Sequence, residues 1–377
     1  MKIRTITIGC ELESSSIEKQ VKQLGEKAQR AKTWFLKHGY EVQTVRLSTQ
    51  PWEDYAPSKK DLLSMAKTLQ QITIKHRFEY FNMGPTTNPS HISFLPEVLQ
   101  STQTGFCTSG IINGNRIDFD ATWETAKAMK TISALEHGFA NLRFAALCNI
   151  KACTPFYPAS FHQGPPSFGI GLENSDIVYT AFHKAADITQ ASKILTQLLL
   201  KQYQKIEEIS KELSETIDLC YAGIDGSVCS SVQKNESTAF AFEQLKLGKF
   251  GQPGTLTIAK LITDVLKDLT VKKIGYNGLM LPVLEDYGLA VRNNEQTYNL
   301  SNLLHYSAVC GTGLDTIPLP GSISVEKLYA ILLDVGSLST KLQKPLSARL
   351  LPIPSKKIGD MTTFDFAYFV NSRIMSP

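Results

Sequence analysis

Strand-like and helix-like runs alternate along this chain, and that alternation restricts the fold more than any other feature. Ile3 to Ile8 alternates β-branched residues and reads as a strand, Ile17 to Leu36 as a helix, Glu41 to Leu47 as a strand and Lys59 to Gln71 as a helix. The short apolar run Phe78 to Phe81 follows. Lys37 and His38 before Gly39 mark the first helix end, a basic last turn and then a residue free to turn. A helix over 121–137 and a strand over 142–150 continue the pattern; the strand has few polar interruptions, as one covered on both faces would. The longest helical pattern spans 185–218, with Asp187 as N-cap and Ile188, Ala191, Ile194, Leu198 and Leu199 on one face. A strand over 219–224, helices over 255–269 and 325–342 (the latter opened by Ser324) and a strand over 346–353 complete the series. Repeated βα units predict a mainly parallel sheet covered by helices, open or closed. No linker or composition break divides the chain and no short repeat recurs, so one domain over 1–377 is expected.

Composition excludes several classes. Residues are 42% hydrophobic and 20% charged, which suits a globular chain with a substantial core. The 39 basic and 35 acidic residues are interspersed, so no nucleic-acid partner is expected. Met1-Lys-Ile-Arg leads straight into the first strand and no apolar run reaches membrane-spanning length, so a cytoplasmic protein with no membrane association is the expectation. The seven cysteines are odd in number and lack Cys-x-x-Cys or zinc-finger spacing, which fits reduced thiols. A homo-oligomer is compatible with all of this.

In sheets of this kind, sites gather in loops at strand carboxyl ends. Phe81-Asn82-Met-Gly-Pro85, Pro155 to Gly164, Gly223-Ile-Asp-Gly226, Gly275-Tyr-Asn-Gly278 and Gly311-Thr-Gly313 each follow an apolar run and form a candidate rim. The densest cluster is Tyr306 to Gly321, read as a loop that presents Cys310, Gly311, Gly313 and Asp315. A thiol beside two glycines and near a helix terminus suits a nucleophile or acid, although a free cysteine is usually a small buried hydrophobe. The proline-fixed loop 154–164 carries Tyr157, Ser160 and His162, a ligand-binding and proton-carrying set or a packed aromatic turn. Asp225 lies between two glycines, where it orients a ligand or closes an Asx turn. Glu285 and Asp286 end an apolar run; one of them suits a base or metal ligand, with a helix end as the plainer account of Asp286. Arg349 offers a planar fork for a carboxylate or phosphate, or an ion pair with Asp315 or Asp360. The Gly-x-Gly-x-x-Gly and Gly-Lys-Ser/Thr patterns of phosphate loops are missing.

At these residues the chain resembles the domain-of-unknown-function family 711, also called uncharacterised protein family 0210. The resemblance is carried by Ile3 to Gly9, Asn82-Met-Gly84, Phe156-Tyr-Pro-Ala159 onward to His162, Phe168 to Glu173, Tyr221 to Asp225, Gly278 to Asp286, Tyr306 to Gly321, and Lys344 to Arg349, nearly the whole chain. It departs from the family in being shorter than many members and in having Glu11-Leu-Glu-Ser-Ser where a longer apolar-to-acidic segment is usual. The resemblance implies a ten-stranded α/β barrel related to the pyruvate formate-lyase-like glycyl radical enzymes, and no established reaction. The radical loop is not expected here: Gly39-Tyr40 and Gly275-Tyr276 lack the Arg-Val-x-Gly-Tyr context, and there is no paired cysteine finger.

The expectation is therefore an enzyme that takes a small anionic metabolite and performs acid-base chemistry of hydrolase or lyase type, with a divalent metal ion as the one cofactor kept open. Asp315, Glu285 and His162 are its candidate proton carriers, with Cys310 as a nucleophile. Arg349, Asp225, Tyr157, Ser160, Asn82, Gly311 and Gly313 are its candidate binding residues. The alternative is a protein that binds or senses a metabolite without converting it.

Overall fold

The computed structural model describes residues 1–377. Its strands, in chain order, are β1 (Lys2–Cys10), β2 (Val42–Thr49), β3 (Tyr80–Thr86), β4 (Gly105–Gly110), β5 (Ile112–Asn113), β6 (Arg116–Ile117), β7 (Phe144–Cys148), β8 (Ser167–Glu173), β9 (Cys220–Asp225), β10 (Gly313–Pro320) and β11 (Leu346–Ile353). β5 and β6 pair only with each other; the other nine form one sheet in the order β10-β11-β7-β4-β3-β2-β1-β8-β9. Two pairings are antiparallel, β1 with β8 and β7 with β11, and the remaining six are parallel. The fold is thus mixed α/β with a large, mainly parallel sheet.

The regular sheet has nine strands, where the family resemblance implies ten. Residues 272–283 touch both of its edge strands through isolated bridges: Lys273 pairs with Ile224 of β9, Leu279 with Val228 just beyond it, and Pro282 with Asp315 of β10. Backbone bonds follow the same path, from Ile274 N to Ile224 O at 3.0 Å, Met280 N to Val228 O at 3.0 Å and Val283 N to Asp315 O at 3.1 Å.

Helices form where the apolar stripe and the caps agree. Helix Ile188–Ile217 begins where Asp187 accepts from Gln190 N at 2.8 Å, and it buries Leu195, Leu199, Ile206 and Leu213 on one face. Each such side chain contributes roughly 1.5–3 kcal/mol on burial. Ser324 caps helix Val325–Leu342 in the same way. The helix expected over 121–137 is shorter, Phe119–Ile132, because Glu136, His137 and Gly138 take left-handed backbone conformations that no α-helix holds. A hydrophobic cluster of 89 buried residues runs from Ile3 to Met375. No helix is long and apolar enough to cross a membrane.

The segment Tyr306 to Gly321, expected as a loop, is a helix end and a strand. Helix Leu300–Cys310 stops at Gly311, whose φ of 81° terminates it, and β10 starts two residues later. Its prolines are tolerated because β10 is an edge of the regular sheet, where a missing N–H breaks no ladder. The ladders also shift register at two points. β1 gains Arg4 between Ile3 and Thr5, which pair with the adjacent Leu172 and Gly171. β10 gains Asp315 and Thr316 opposite the single residue Arg349. Bulges of this kind re-aim side chains, and these three charged residues all face the same interior space.

Candidate functional site

That space is a cavity of about 110 Å³ between the strands, open in part to solvent. Strands far apart in the sheet order contribute to it: Arg4 from β1, Thr44 and Arg46 from β2, Tyr80 from β3, Phe106 from β4, Asp315 from β10, Ser347 and Arg349 from β11. Residues two apart in a strand share a face, which places Thr44 with Arg46 and Ser347 with Arg349. The loop 156–159, Tyr276, Met280, Glu285 and Cys229 complete much of the wall, and Phe366 and Tyr368 of the C-terminal segment cover it. That segment is held by an aromatic cluster of Phe364, Phe366 and Phe369 around Phe139.

The cavity contains an ion-pair network. Arg349 Nε donates to Asp315 Oδ1 at 2.6 Å and its Nη2 to Glu285 Oε1 at 2.6 Å. Arg4 Nη2 reaches the other oxygen of Glu285 at 3.4 Å, and its Nη1 donates to Glu173 Oε2 at 3.2 Å and to Gln43 Oε1 at 2.9 Å. The ring of Tyr368 lies under the Arg4 guanidinium, 5.1 Å from its centroid. Burial alone would depress the Arg349 guanidinium; Asp315 and Glu285 overcome it and hold the group above its ordinary value. Burial pushes the Cys229 thiol up to about 12, with Arg4 acting in the opposite direction, so it is protonated at neutral pH.

Arg46 stands apart from this network. It is 8% exposed and makes no ion pair; Nε donates to Thr44 Oγ1 at 2.9 Å, while its two terminal nitrogens have no hydrogen-bond partner in the protein. Tyr157 and Tyr80 face the guanidinium, 5.0 and 5.7 Å from their ring centroids. Burial, with Arg4 as a like charge, brings its pKa down to about 10. Burying an unpaired charge costs several kcal/mol. Two aromatic faces return about 1–2 kcal/mol each at best, which leaves the group short of a counter-charge.

Of the sequence-predicted residues, Asp315, Glu285, Arg349 and Tyr157 meet in the cavity. Four others hold its walls in place. Asn82 Nδ2 donates to Pro158 O at 2.6 Å, the Ser160 and Ser48 hydroxyls share a 2.5 Å bond, and His162 N donates to Thr49 O at 2.9 Å, so all three pin the loop that inserts Tyr157. The His162 ring does not line the cavity: Nε2 donates to the carbonyls of Gly164 and Pro165, both at 3.0 Å, and Nδ1 faces Cys153 Sγ at 3.7 Å. Asp225 is fully buried and accepts from Ser227 N and Oγ, Tyr276 N and Asn277 N, fixing the turn that carries Tyr276. Cys310, Gly311 and Gly313 lie outside the cavity. The Cys310 thiol is fully buried and pushed up to about 11 by that burial. Gly313 serves packing, since a Cβ there would sit 2.0 Å from Ser347 O.

The donors do not suit a divalent cation. The Arg349 guanidinium binds both Asp315 and Glu285, and nowhere do three His, Cys, Asp or Glu side chains converge. Sequence reasoning missed Arg4, Arg46 and Cys229. The usable sign for the arginines was a lone cation within a strand otherwise fit for burial on both faces.

The family model described as "Uncharacterised ACR (DUF711)" matches residues 1–365. A UPF0210 protein of Methanopyrus kandleri is 27% identical over 277 residues, covering 71% of this chain and 61% of that protein, so the match spans less than two thirds of the relative's length. A UPF0210 protein of a Thermoanaerobacter species is 26% identical over 404 residues, covering 97% of this chain and 88% of the relative. Among solved structures, an anaerobic ribonucleotide reductase aligns with a TM-score of 0.39 at 9% identity, over 92% of this chain and 70% of that one.

Proposed function

The chain belongs to the family of uncharacterised ACR proteins, DUF711, and we propose that this member binds a small anionic metabolite inside its sheet. The observation that carries the reading is Arg46: a buried guanidinium with two free nitrogens aimed into a cavity, matched to the two oxygens of a carboxylate or phosphate. Thr312, Ser347 and Tyr276 line the same space, with their hydroxyl protons donated to Leu279 O, Thr312 O and Ser347 Oγ, which leaves Arg46 as the donor for the anion. Phe106, Phe156, Leu142 and Met280 give it apolar walls for the body of the ligand.

Asp315 and Glu285 are the groups able to move a proton on a bound ligand, in a hydrolase- or lyase-type reaction. A second reading, binding without conversion, is favoured by one observation: each of these carboxylates is already committed to a guanidinium. We also propose that residues 272–283 act as a tenth stave joining β9 to β10, supported by their bridges to both edges.

The test is a panel of small carboxylates and phosphate esters, screened by thermal shift and titrated by calorimetry against the wild type and Arg46→Met. A bound anion raises the wild-type Tm, and the variant binds it roughly 10- to 100-fold more weakly. Equal binding by both proteins overturns the reading. Mass analysis of the ligand after incubation separates the enzyme from the binder.

A further inference from the structure

The charges in and beside the cavity are divided unevenly, with Glu173 joining the network through Arg4 from outside the lining. Arg4, Arg349, Glu173, Glu285 and Asp315 form one connected network with two guanidinium groups against three carboxylates. Lys2 joins its edge through Glu173, but brings Glu236 with it, so the excess of one negative charge persists. Arg46 supplies the opposite excess and is paired to nothing.

The groups left without a partner stand on different walls. Asp315 is on β10 and Arg46 on β2, five strands apart in the sheet order, yet both line the one cavity. Asp315 uses Oδ1 for Arg349, while Oδ2 has no hydrogen-bond partner in the protein. One wall therefore offers two unpartnered donors and another wall an unpartnered acceptor, with Phe106, Phe156 and Met280 among the apolar residues of the lining.

We infer that the ligand is dipolar: an anion that also carries an ammonium or similar cationic group, separated from its carboxylate by an apolar spacer. This rests on the reading of Arg46 as the anion's partner. A ligand with only a carboxylate satisfies Arg46 and leaves the Asp315 oxygen unmet. A compact α-amino acid carries its two charged groups on a single carbon and reaches one wall at a time. A ligand with its charges at opposite ends neutralises both walls, and each charge-assisted hydrogen bond is stronger than a neutral one.

Calorimetric titration with four compounds of the same carbon number tests this: ε-aminohexanoate, its isomer norleucine, hexanoate and hexylamine. The expected order places ε-aminohexanoate first, roughly tenfold or more tighter than hexanoate and norleucine. In Asp315→Asn that advantage is lost and ε-aminohexanoate binds no tighter than hexanoate, whereas Arg46→Met weakens both carboxylates. The wild-type series needs no variant to fold, and thermal unfolding of each variant confirms that it is native. If hexanoate binds and ε-aminohexanoate binds no better, the dipolar inference is overturned while the anion reading stands. If norleucine binds best, the separation of charges is overturned. If no carboxylate binds, and a wider anion panel also fails, both fall.

Discussion

His162 is held neutral by its surroundings. Its Nε2 proton is spent on the carbonyls of Gly164 and Pro165, its Nδ1 faces a thiol, and the ring packs so closely on Gly9 that a Cβ there would meet Nδ1 at 2.1 Å. Burial, only partly offset by the two carbonyls, lowers its pKa below the ordinary 6.5. A base whose folded pKa is depressed binds fewer protons folded than unfolded. Its contribution is therefore complete above the unfolded value, about 6.5, and is lost as the pH falls through the folded value. Replacing it by glutamine costs about 1–3 kcal/mol near neutral pH, and urea unfolding will show the gap between wild type and His162→Gln narrowing as the medium is acidified. A gap that stays constant would mean that the imidazole titrates alike in both states. Proton-carrying and loop-pinning histidines look the same in a sequence, because the carbonyls that decide the matter belong to backbone the sequence does not place. Asp315 and Arg349 were legible since glycine and proline surround one and an acid was within plausible reach of the other. Arg46, in Val45-Arg-Leu-Ser, was not.

Strand and helix boundaries were legible wherever a cap or a period fixed them, as at Asp187, Ser324 and β1. The junction into β10 was not, because its glycines and prolines carry the composition of a loop. Two of those glycines do different work. Gly311, with φ of 81°, ends a helix in open surroundings where a Cβ meets only the Lys344 side chain at 3.8 Å. Gly313, with φ of 96°, lets β10 lie against the Ser347 carbonyl. Gly311→Ala should cost about 1 kcal/mol for backbone strain alone, and Gly313→Ala about 3 kcal/mol or more, since strain and a backbone clash add. Denaturant midpoints with an unchanged m-value will separate them; equal losses would show that packing between β10 and β11 is not what Gly313 protects. The bulges at Arg4 and at Asp315–Thr316 are equally invisible in the sequence, for they arise from register between strands more than 30 residues apart.

The arrangement of the whole molecule depends on what joins β9 to β10. The alternation of elements predicted parallel strands, but it could not show that the two antiparallel seams divide them into groups, nor that an irregular segment makes isolated bridges to both edge strands. Residues 272–283 lack the β-branched alternation of a strand, and most of their order comes from outside. Asp225 binds the Tyr276 and Asn277 amides at 2.8 and 3.1 Å, and Ser227 Oγ accepts from Gly278 N at 3.0 Å. If this segment is a true stave, its bridging amides open only with the sheet, and hydrogen exchange at Ile274, Met280 and Val283 will be as slow as in β1. Asp225→Ala then orphans buried donors at a cost of about 2–3 kcal/mol and speeds exchange across 272–283 while β1 to β4 keep their protection. Binding of a carboxylate at Arg46 should weaken in the same variant, because Tyr276 and Glu285 belong to the wall that Asp225 anchors. Fast exchange at those three amides in the wild type would mean that the sheet is open there and that the cavity is walled by a loop. Selective loss of protection in the variant, with ligand binding lost alongside it, would tie the closing of the sheet to the making of the site.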